Sequence, residues 1–169
     1  MYQRILVPID GSDTSNKGLD EAINLAQLTG AELRLIHVID VVRFATGFEP
    51  YGVYTSDLIP VIREAGEQIL MQGKTRVQAQ GVKVDSLLFD SLASRVADTV
   101  VEQAKAWGAD LIVIGTHGRR GMKRLMLGSD AEQILRSAPV PVLLIRAAAV
   151  ENSPGPMTST QASPAPGAA

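Results

Sequence analysis

The sequence predicts an α/β fold, a parallel β-sheet with helices on both faces. Two observations carry that reading. Short runs of Leu, Ile and Val read as buried strands. These runs alternate with longer segments of helical spacing, giving the order β-α-β-α-β-α-β-α-β. With 169 residues and no internal repeat, one compact domain is the natural organisation.

Ile5-Leu-Val-Pro-Ile9 is the first strand, ended by Asp10-Gly11-Ser12. Ser12 or Asp13 caps the helix that follows. Leu19, Ala22, Ile23 and Ala26 form its apolar face, and Gly30 closes it. Leu33 to Ile39 is the second strand. Residues 40–57 carry Phe44, Phe48, Pro50, Tyr51 and Tyr54 without a clean period and read as a long loop. Its aromatics are open to two readings, a cover for the core or a lid or partner surface. From Leu58 the spacing Leu58, Ile62, Ala65, Ile69, Val77 is helical, with Pro60 in the first turn. Gly66 and Gly73 weaken this helix by roughly 1 kcal/mol each relative to Ala.

Val82 to Phe89 is the third strand. Ser91 is placed to cap a helix bearing Leu92, Val96, Val100, Ala104 and Trp107, closed by Gly108. Asp110 to Ile114 is the fourth strand, and a loop from Gly115 to Leu127 leads to a short helix at Ser129. Val140 to Ile145 is the last strand. Pro141 cannot donate to a ladder, which favours a sheet edge or a strand start. Beyond Arg146 the chain is rich in Ala, Pro, Ser and Gly. The division is therefore a domain over 1–146 and a disordered tail over 147–169.

Composition excludes several functions. There is no Cys, so no disulfide, thiolate metal site or cysteine nucleophile. A net charge of -2 supplies no global basic field for a nucleic acid. No apolar run approaches the ~20 residues that span a bilayer, and the N-terminus lacks the apolar core of a signal peptide. The expectation is a soluble cytoplasmic protein with neither nucleic-acid nor membrane partners. No nucleophile stands with a histidine and an orienting acid, and no metal-ligand cluster is evident in the sequence.

In sheets of this kind ligands bind beyond the carboxyl ends of the strands, where strand order reverses. Asp10, Val38 to Asp40, and Gly115 onward stand there. Gly115, Gly118, Gly121 and Gly128 allow close backbone approach to a ligand. Arg119, Arg120, Lys123 and Arg124 share the loop, with no acid between His117 and Leu127. The loop then enters a helix, whose first N–H groups attract anions. These features make a phosphate cradle. Neither a Walker A string nor Gly-x-Gly-x-x-Gly is present.

Gly115-Thr-His-Gly118, nine residues, then Gly128-Ser129 resembles the nucleotide-binding motif of the universal stress protein family. Ile5 to Ser12, Ala109 to Arg119 and Ala138 to Ile145 are similar to other parts of that family, so the resemblance covers about residues 1–146. It implies a Rossmann-like fold of the adenine nucleotide α-hydrolase-like type, with five strands in the order 3-2-1-4-5. It further implies that Asp10, with Pro8 beside it, meets the nucleoside, and that the backbone at Val38 meets adenine. Ile114 and Gly115 would flank the nucleoside. Gly118, Arg119, Gly128, Ser129 and Asp130 would hold the phosphates of ATP, with Mg or Mn upon them. A homodimer through the strand Val140–Ile145 is implied as well. Two positions depart from the family pattern. Asp130 stands where a neutral residue is usual, and a carboxylate beside a triphosphate costs energy unless a metal or Arg119, Arg120 or Arg124 offsets it. Asp90-Ser91-Leu92 replaces a Gly-x-Pro turn.

Structural roles compete with these. Asp10 is also placed to cap the first helix. Ser129-Asp-Ala-Glu132 spells a capping box, with Ser129 as N-cap. His117 reads as a solvated loop histidine or a phosphate contact, and His37 as a satisfied core histidine. The functional expectation is an ATP-binding stress-response or regulatory protein, the nucleotide acting as a bound effector in a homodimer. Two alternatives stand beside it: a slow nucleotide hydrolase or transferase, and a nucleotide-free interaction module.

Overall fold

The computed structural model describes residues 1–40, 55–91, 95–116 and 127–146. Along them run β1 (Arg4–Pro8), α1 (Asp13–Thr29), β2 (Glu32–Asp40), α2 (Thr55–Ala79), β3 (Val84–Ser91), α3 (Val96–Trp107), β4 (Leu111–Gly115), α4 (Ser129–Ser137) and β5 (Val142–Ile145). The strands form one parallel sheet in the order β3-β2-β1-β4-β5. The order reverses between β1 and β4, as the resemblance implies.

Side chains alternate across a strand, so each central strand feeds two cores. Ile5, Val7, Ile9, Leu33, Leu35, Leu111 and Val113 pack with residues of α1 and α2. Leu6, Ile36, Ile112 and Ile114 pack with Ala97, Val100 and Ala104 of α3 and with Ala131 and Ile134 of α4. This double burial is why the strands read as continuous apolar runs. On α1, Leu19, Ala22, Ile23 and Ala26 are buried as their spacing required. Ser12 is its N-cap, and Gly30 closes it with φ 75° and an N–H bond to the Ala26 carbonyl.

α2 departs from expectation in two ways. It starts at Thr55, so Pro60 lies in the second turn, where its missing N–H removes a ladder bond. Its buried seam is Gly66, Leu70, Gly73 and Val77, whereas Ala65 is exposed and Ile62 and Ile69 are half-buried. The glycines explain the rotation. A Cβ at Gly73 would lie 2.9 Å from Ile9 Cδ1 and 3.0 Å from Leu35 Cδ1. One at Gly66 would lie 2.8 Å from His37 Cδ2. The residues expected to weaken the helix are those that let it approach the sheet.

β3 ends later than expected because β2 continues to Asp40 and offers a ladder partner to Ser91. Ser91 is thus a buried strand residue and not a helix cap. α3 starts instead at Val96, with Arg95 at the N-cap and no side-chain cap bond. β5 starts at Val142 and lies at the sheet edge, with the Pro141 carbonyl accepting from Ile112 N at 3.0 Å. The expected loop over 40–57 loses both ends, Asp40 to β2 and Thr55 onward to α2. Leu92, Phe44, Phe48, Tyr51, Tyr54 and the expected tail over 147–169 fall outside the described residues.

The amino end of the sheet is stitched by charge. Arg34 grips Asp85 with Nε at 2.8 Å and lies 4.6 Å over the Trp107 ring. The hydrogen bond to Asp85 raises the Arg34 pKa above its ordinary value. Arg4 bonds Glu32 and donates to the Trp107 carbonyl at 3.0 Å. Asp110 accepts from the backbone N–H groups of Gln3 and Arg4. No helix among the described residues is long and apolar enough to cross a membrane.

Candidate functional site

At the opposite end, β1 makes its last ladder bond from Ile9 N to Ile36 O, at 2.8 Å. The next peptide unit, joining Ile9 to Asp10, is held by side chains. Its carbonyl lies 2.7 Å from His37 Nδ1, and its N–H donates to Ser15 Oγ at 3.1 Å. A carbonyl oxygen only accepts, so the imidazole carries a proton on Nδ1. His37 is therefore the satisfied core histidine the sequence suggested, 8% exposed.

The Asp10 carboxylate accepts from Ser12 N at 3.0 Å and from Ser12 Oγ at 2.7 Å. Ser12 Oγ in turn accepts from Ser15 N at 3.3 Å. Asp10 does not cap α1 itself. It orients Ser12, which does. Asp10 forms a short local turn with Ser12 and is half-buried beyond the end of β1.

Gly115 ends β4, level with Ile145 of β5. A Cβ on it would stand 2.8 Å from Thr14 C and 2.9 Å from both Ser15 N and Thr14 O. The first turn of α1 therefore rests backbone to backbone on the end of β4. Ser15 touches both features: its hydroxyl holds the Asp10 amide and its backbone abuts Gly115. Asp10 and Gly115 are thereby brought together across the point where strand order reverses. Pro8 ends β1 half-buried, opposite Ile36. Ile114 is 9% exposed and packs on the α3–α4 side. Val38 lies half-buried near the end of β2, opposite Phe89.

The glycine-rich loop is closed at its base. Thr116 N donates to Ile145 O at 2.8 Å, and Gly128 N donates to Thr116 O at 2.9 Å. The start of α4 is thus fixed beside the end of β4. Gly118 and Arg119 lie outside the described residues, as do His117, Arg120, Gly121, Lys123 and Arg124.

This closure corrects the expected capping box. Gly128, held by Thr116, is the N-cap of α4 at φ -62°, and its carbonyl accepts from Glu132 N at 2.9 Å. Ser129 is the first helical residue and is exposed. Glu132 bonds Arg136 at 2.8 Å rather than reaching back to Ser129. Gly128 has no side chain with which to cap α4. Asp130 and Glu132 put two carboxylates in its first turn. They already answer part of the positive field there.

Sequence reasoning missed Ser15 and Thr116. The hydroxyl-rich run Ser12 to Ser15 was the available signal for the first. Among the described residues no group of three or more His, Asp or Glu is placed to hold a metal ion.

Comparison with known proteins places the chain. The family model described as Universal stress protein family matches residues 1–146. A universal stress protein of Methanocaldococcus jannaschii is 36% identical over 147 residues, which are 86% of this chain and 83% of that protein. A crystal structure from the same family, from Burkholderia pseudomallei, has a TM-score of 0.70 at 35% identity and covers 86% of this chain and 97% of its own. A universal stress protein in complex with cAMP has a TM-score of 0.60 at 25% identity, covering 86% of this chain and 97% of that one. The chain belongs to the universal stress protein family.

Proposed function

We propose that this protein binds an adenine nucleotide in the crevice beyond the carboxyl ends of β1, β2 and β4, and that the nucleotide acts as a bound effector. The observation that carries the reading is the junction at Ser15. Through the Asp10 backbone N–H it ties the residue after β1 to the end of β4, from which the loop closes onto the start of α4. The intact Gly115-x-x-Gly118-x9-Gly128-Ser129 spacing supports it, as does the related protein bound to cAMP. In this reading Asp10 and Pro8 meet the nucleoside, the Val38 backbone meets the base, and Ile114 and Gly115 flank the nucleoside. Gly118, Arg119, Ser129 and Asp130 meet the phosphates. Gly128 contributes position, since its N–H is already given to Thr116.

ATP, with Mg or Mn on its phosphates, is the nucleotide of first choice. The basic residues Arg119, Arg120, Lys123 and Arg124 favour a polyphosphate. A second reading, a monophosphate or cyclic phosphate, is favoured by Asp130 and Glu132 in the first turn of α4. We further propose a cytoplasmic homodimer through the edge strand that ends at Ile145, whose four residues are half-buried in the single chain. Calorimetric titration of the full chain with ATP, AMP and cAMP, each with and without Mg²⁺, tests the site. Saturable binding is expected; heats equal to dilution for all three would end the reading. Sedimentation analysis tests the dimer.

A further inference from the structure

The Ile9–Asp10 peptide is the first unit of β1 beyond the sheet ladder. Both its polar atoms are nonetheless held, the carbonyl by His37 Nδ1 at 2.7 Å and the N–H by Ser15 Oγ at 3.1 Å. Both side chains are buried, His37 8% and Ser15 5% exposed. They come from different elements, β2 and α1, and grip the same plane from opposite edges. A peptide plane held at both ends cannot rotate about its flanking torsions, so the direction in which Asp10 leaves the backbone is fixed. The His37 ring is itself confined from above. It lies under α2 at Gly66, where a Cβ would approach Cδ2 to 2.8 Å and Nε2 to 3.3 Å.

We propose that His37 and Ser15 are positioning residues that aim the Asp10 carboxylate at the bound nucleoside, with Gly66 setting the height of the His37 ring. This rests on the adenine-nucleotide reading above. It makes α2, the helix after the segment 41–54, a mechanical neighbour of the site: a shift of α2 at Gly66 is felt at Asp10 through one imidazole.

The test uses the full chain and two readouts. The first is nucleotide affinity by calorimetry. His37→Leu removes the donor while roughly keeping the volume, and is expected to weaken binding about tenfold, the upper range for one neutral hydrogen bond. His37→Asn places an amide N–H near the position of Nδ1 and is expected to restore affinity to within about threefold. Ser15→Ala is expected to weaken binding by a factor of about three to ten. Gly66→Ala is expected to weaken it severalfold in the wild-type background, where the methyl presses on His37 Cδ2, and to cost less in His37→Leu, where no bond from Nδ1 to the Ile9 carbonyl remains to be displaced. In an Asp10→Ala background, His37→Leu is expected to cost nothing further. A folded His37→Leu protein with unchanged affinity would overturn the proposal, as would an undiminished effect of His37→Leu in the Asp10→Ala background. The second readout needs no nucleotide. Amide hydrogen exchange at Asp10 in the free protein is expected to accelerate in Ser15→Ala and in His37→Leu, and to return in His37→Asn. Unchanged exchange in both would also overturn it. If the wild-type chain binds no adenine nucleotide, the functional reading fails while the exchange data still decide the positioning claim.

Discussion

Substituting Gly115 by Ala tests the close approach of α1 to β4. The added Cβ would meet Thr14 C at 2.8 Å and Ser15 N and Thr14 O at 2.9 Å. All three are backbone atoms of a helix and cannot swing aside as a side chain would. Restoring ordinary contact at about 3.4 Å requires α1 to retreat by about 0.6 Å at its first turn. Overpacking of this kind costs about 1–3 kcal/mol. For a chain of this size that lowers Tm by about 3–10 °C. The same retreat acts on the 3.1 Å bond between Asp10 N and Ser15 Oγ. A displacement of that size along the bond takes it beyond the roughly 3.5 Å limit of a useful hydrogen bond. Gly18→Ala is the matched control. Its Cβ would sit 3.4 Å from Gly115 N and 3.7 Å from Ile114 C, within ordinary contact. There Ala replaces Gly inside a helix, a change worth up to about 1 kcal/mol in favour of the fold. Thermal unfolding followed by circular dichroism distinguishes the two. Gly115→Ala is expected to fall and Gly18→Ala to hold level or rise. Equal Tm values for Gly115→Ala and wild type would refute the argument.

Four substitutions test the caps, the amino-end network and the first turn of α4. Ser12→Ala removes the cap of α1 and is expected to destabilise by about 1 kcal/mol in urea unfolding. Ser129→Ala is expected to change stability by less than about 0.5 kcal/mol, because Gly128 is the cap of α4; a larger loss at Ser129 than at Ser12 would show that the assignment is wrong. Arg34→Lys keeps the charge but loses the fork on Asp85 and the stack on Trp107, and is expected to cost about 1 kcal/mol. Stability equal to wild type would mean the network does nothing measurable. Asp130→Asn is expected to raise affinity for ATP without Mg²⁺ by severalfold, and for AMP by less, by removing a negative charge from the first turn of α4. Equal gains for both nucleotides would argue against a charge conflict at the outer phosphates.

Part of the candidate site was legible because β-α alternation directs attention to the residues at the strand ends, and the family resemblance implied the order that reverses between β1 and β4. Asp10 stands just beyond β1 and Gly115 ends β4, and Ser15 bridges them. What could not be read depended on contacts between distant segments. Ser129-Asp-Ala-Glu132 is a good capping box locally, but the bond from Gly128 N to Thr116 O starts the helix one residue earlier. Ser91 is a good cap by residue type, but Asp40 extends β2 and draws it into the sheet. On α2 the reading of Gly66 and Gly73 as weak points was a single-helix argument. Their value appears only once Ile9, Leu35 and His37 are placed beneath them. His37 was correctly read as a core residue, yet nothing in the sequence tells that its partner is the Ile9 carbonyl.

The motif itself divides into parts with different physical tasks. Glycines in such a string are commonly assumed to make room for the ligand. At Gly115 the room is made for α1, since the missing Cβ points at the backbone of Thr14 and Ser15. At Gly128 the N–H goes to Thr116 and φ is -62°, a value open to most residues, so neither donor nor left-handed backbone explains the glycine. Of the motif's outer glycines, then, one seats a helix and the other closes a loop. Both act by bringing Asp10, the end of β4 and the start of α4 to one place. On the proposed function, a substitution at Gly115 acts on nucleotide binding through geometry rather than through a lost contact. Gly115→Ala should therefore weaken adenosine and every adenine nucleotide by a similar factor, and adenosine is the ligand that checks it. A loss confined to phosphorylated ligands would place Gly115 against the phosphates and overturn the division.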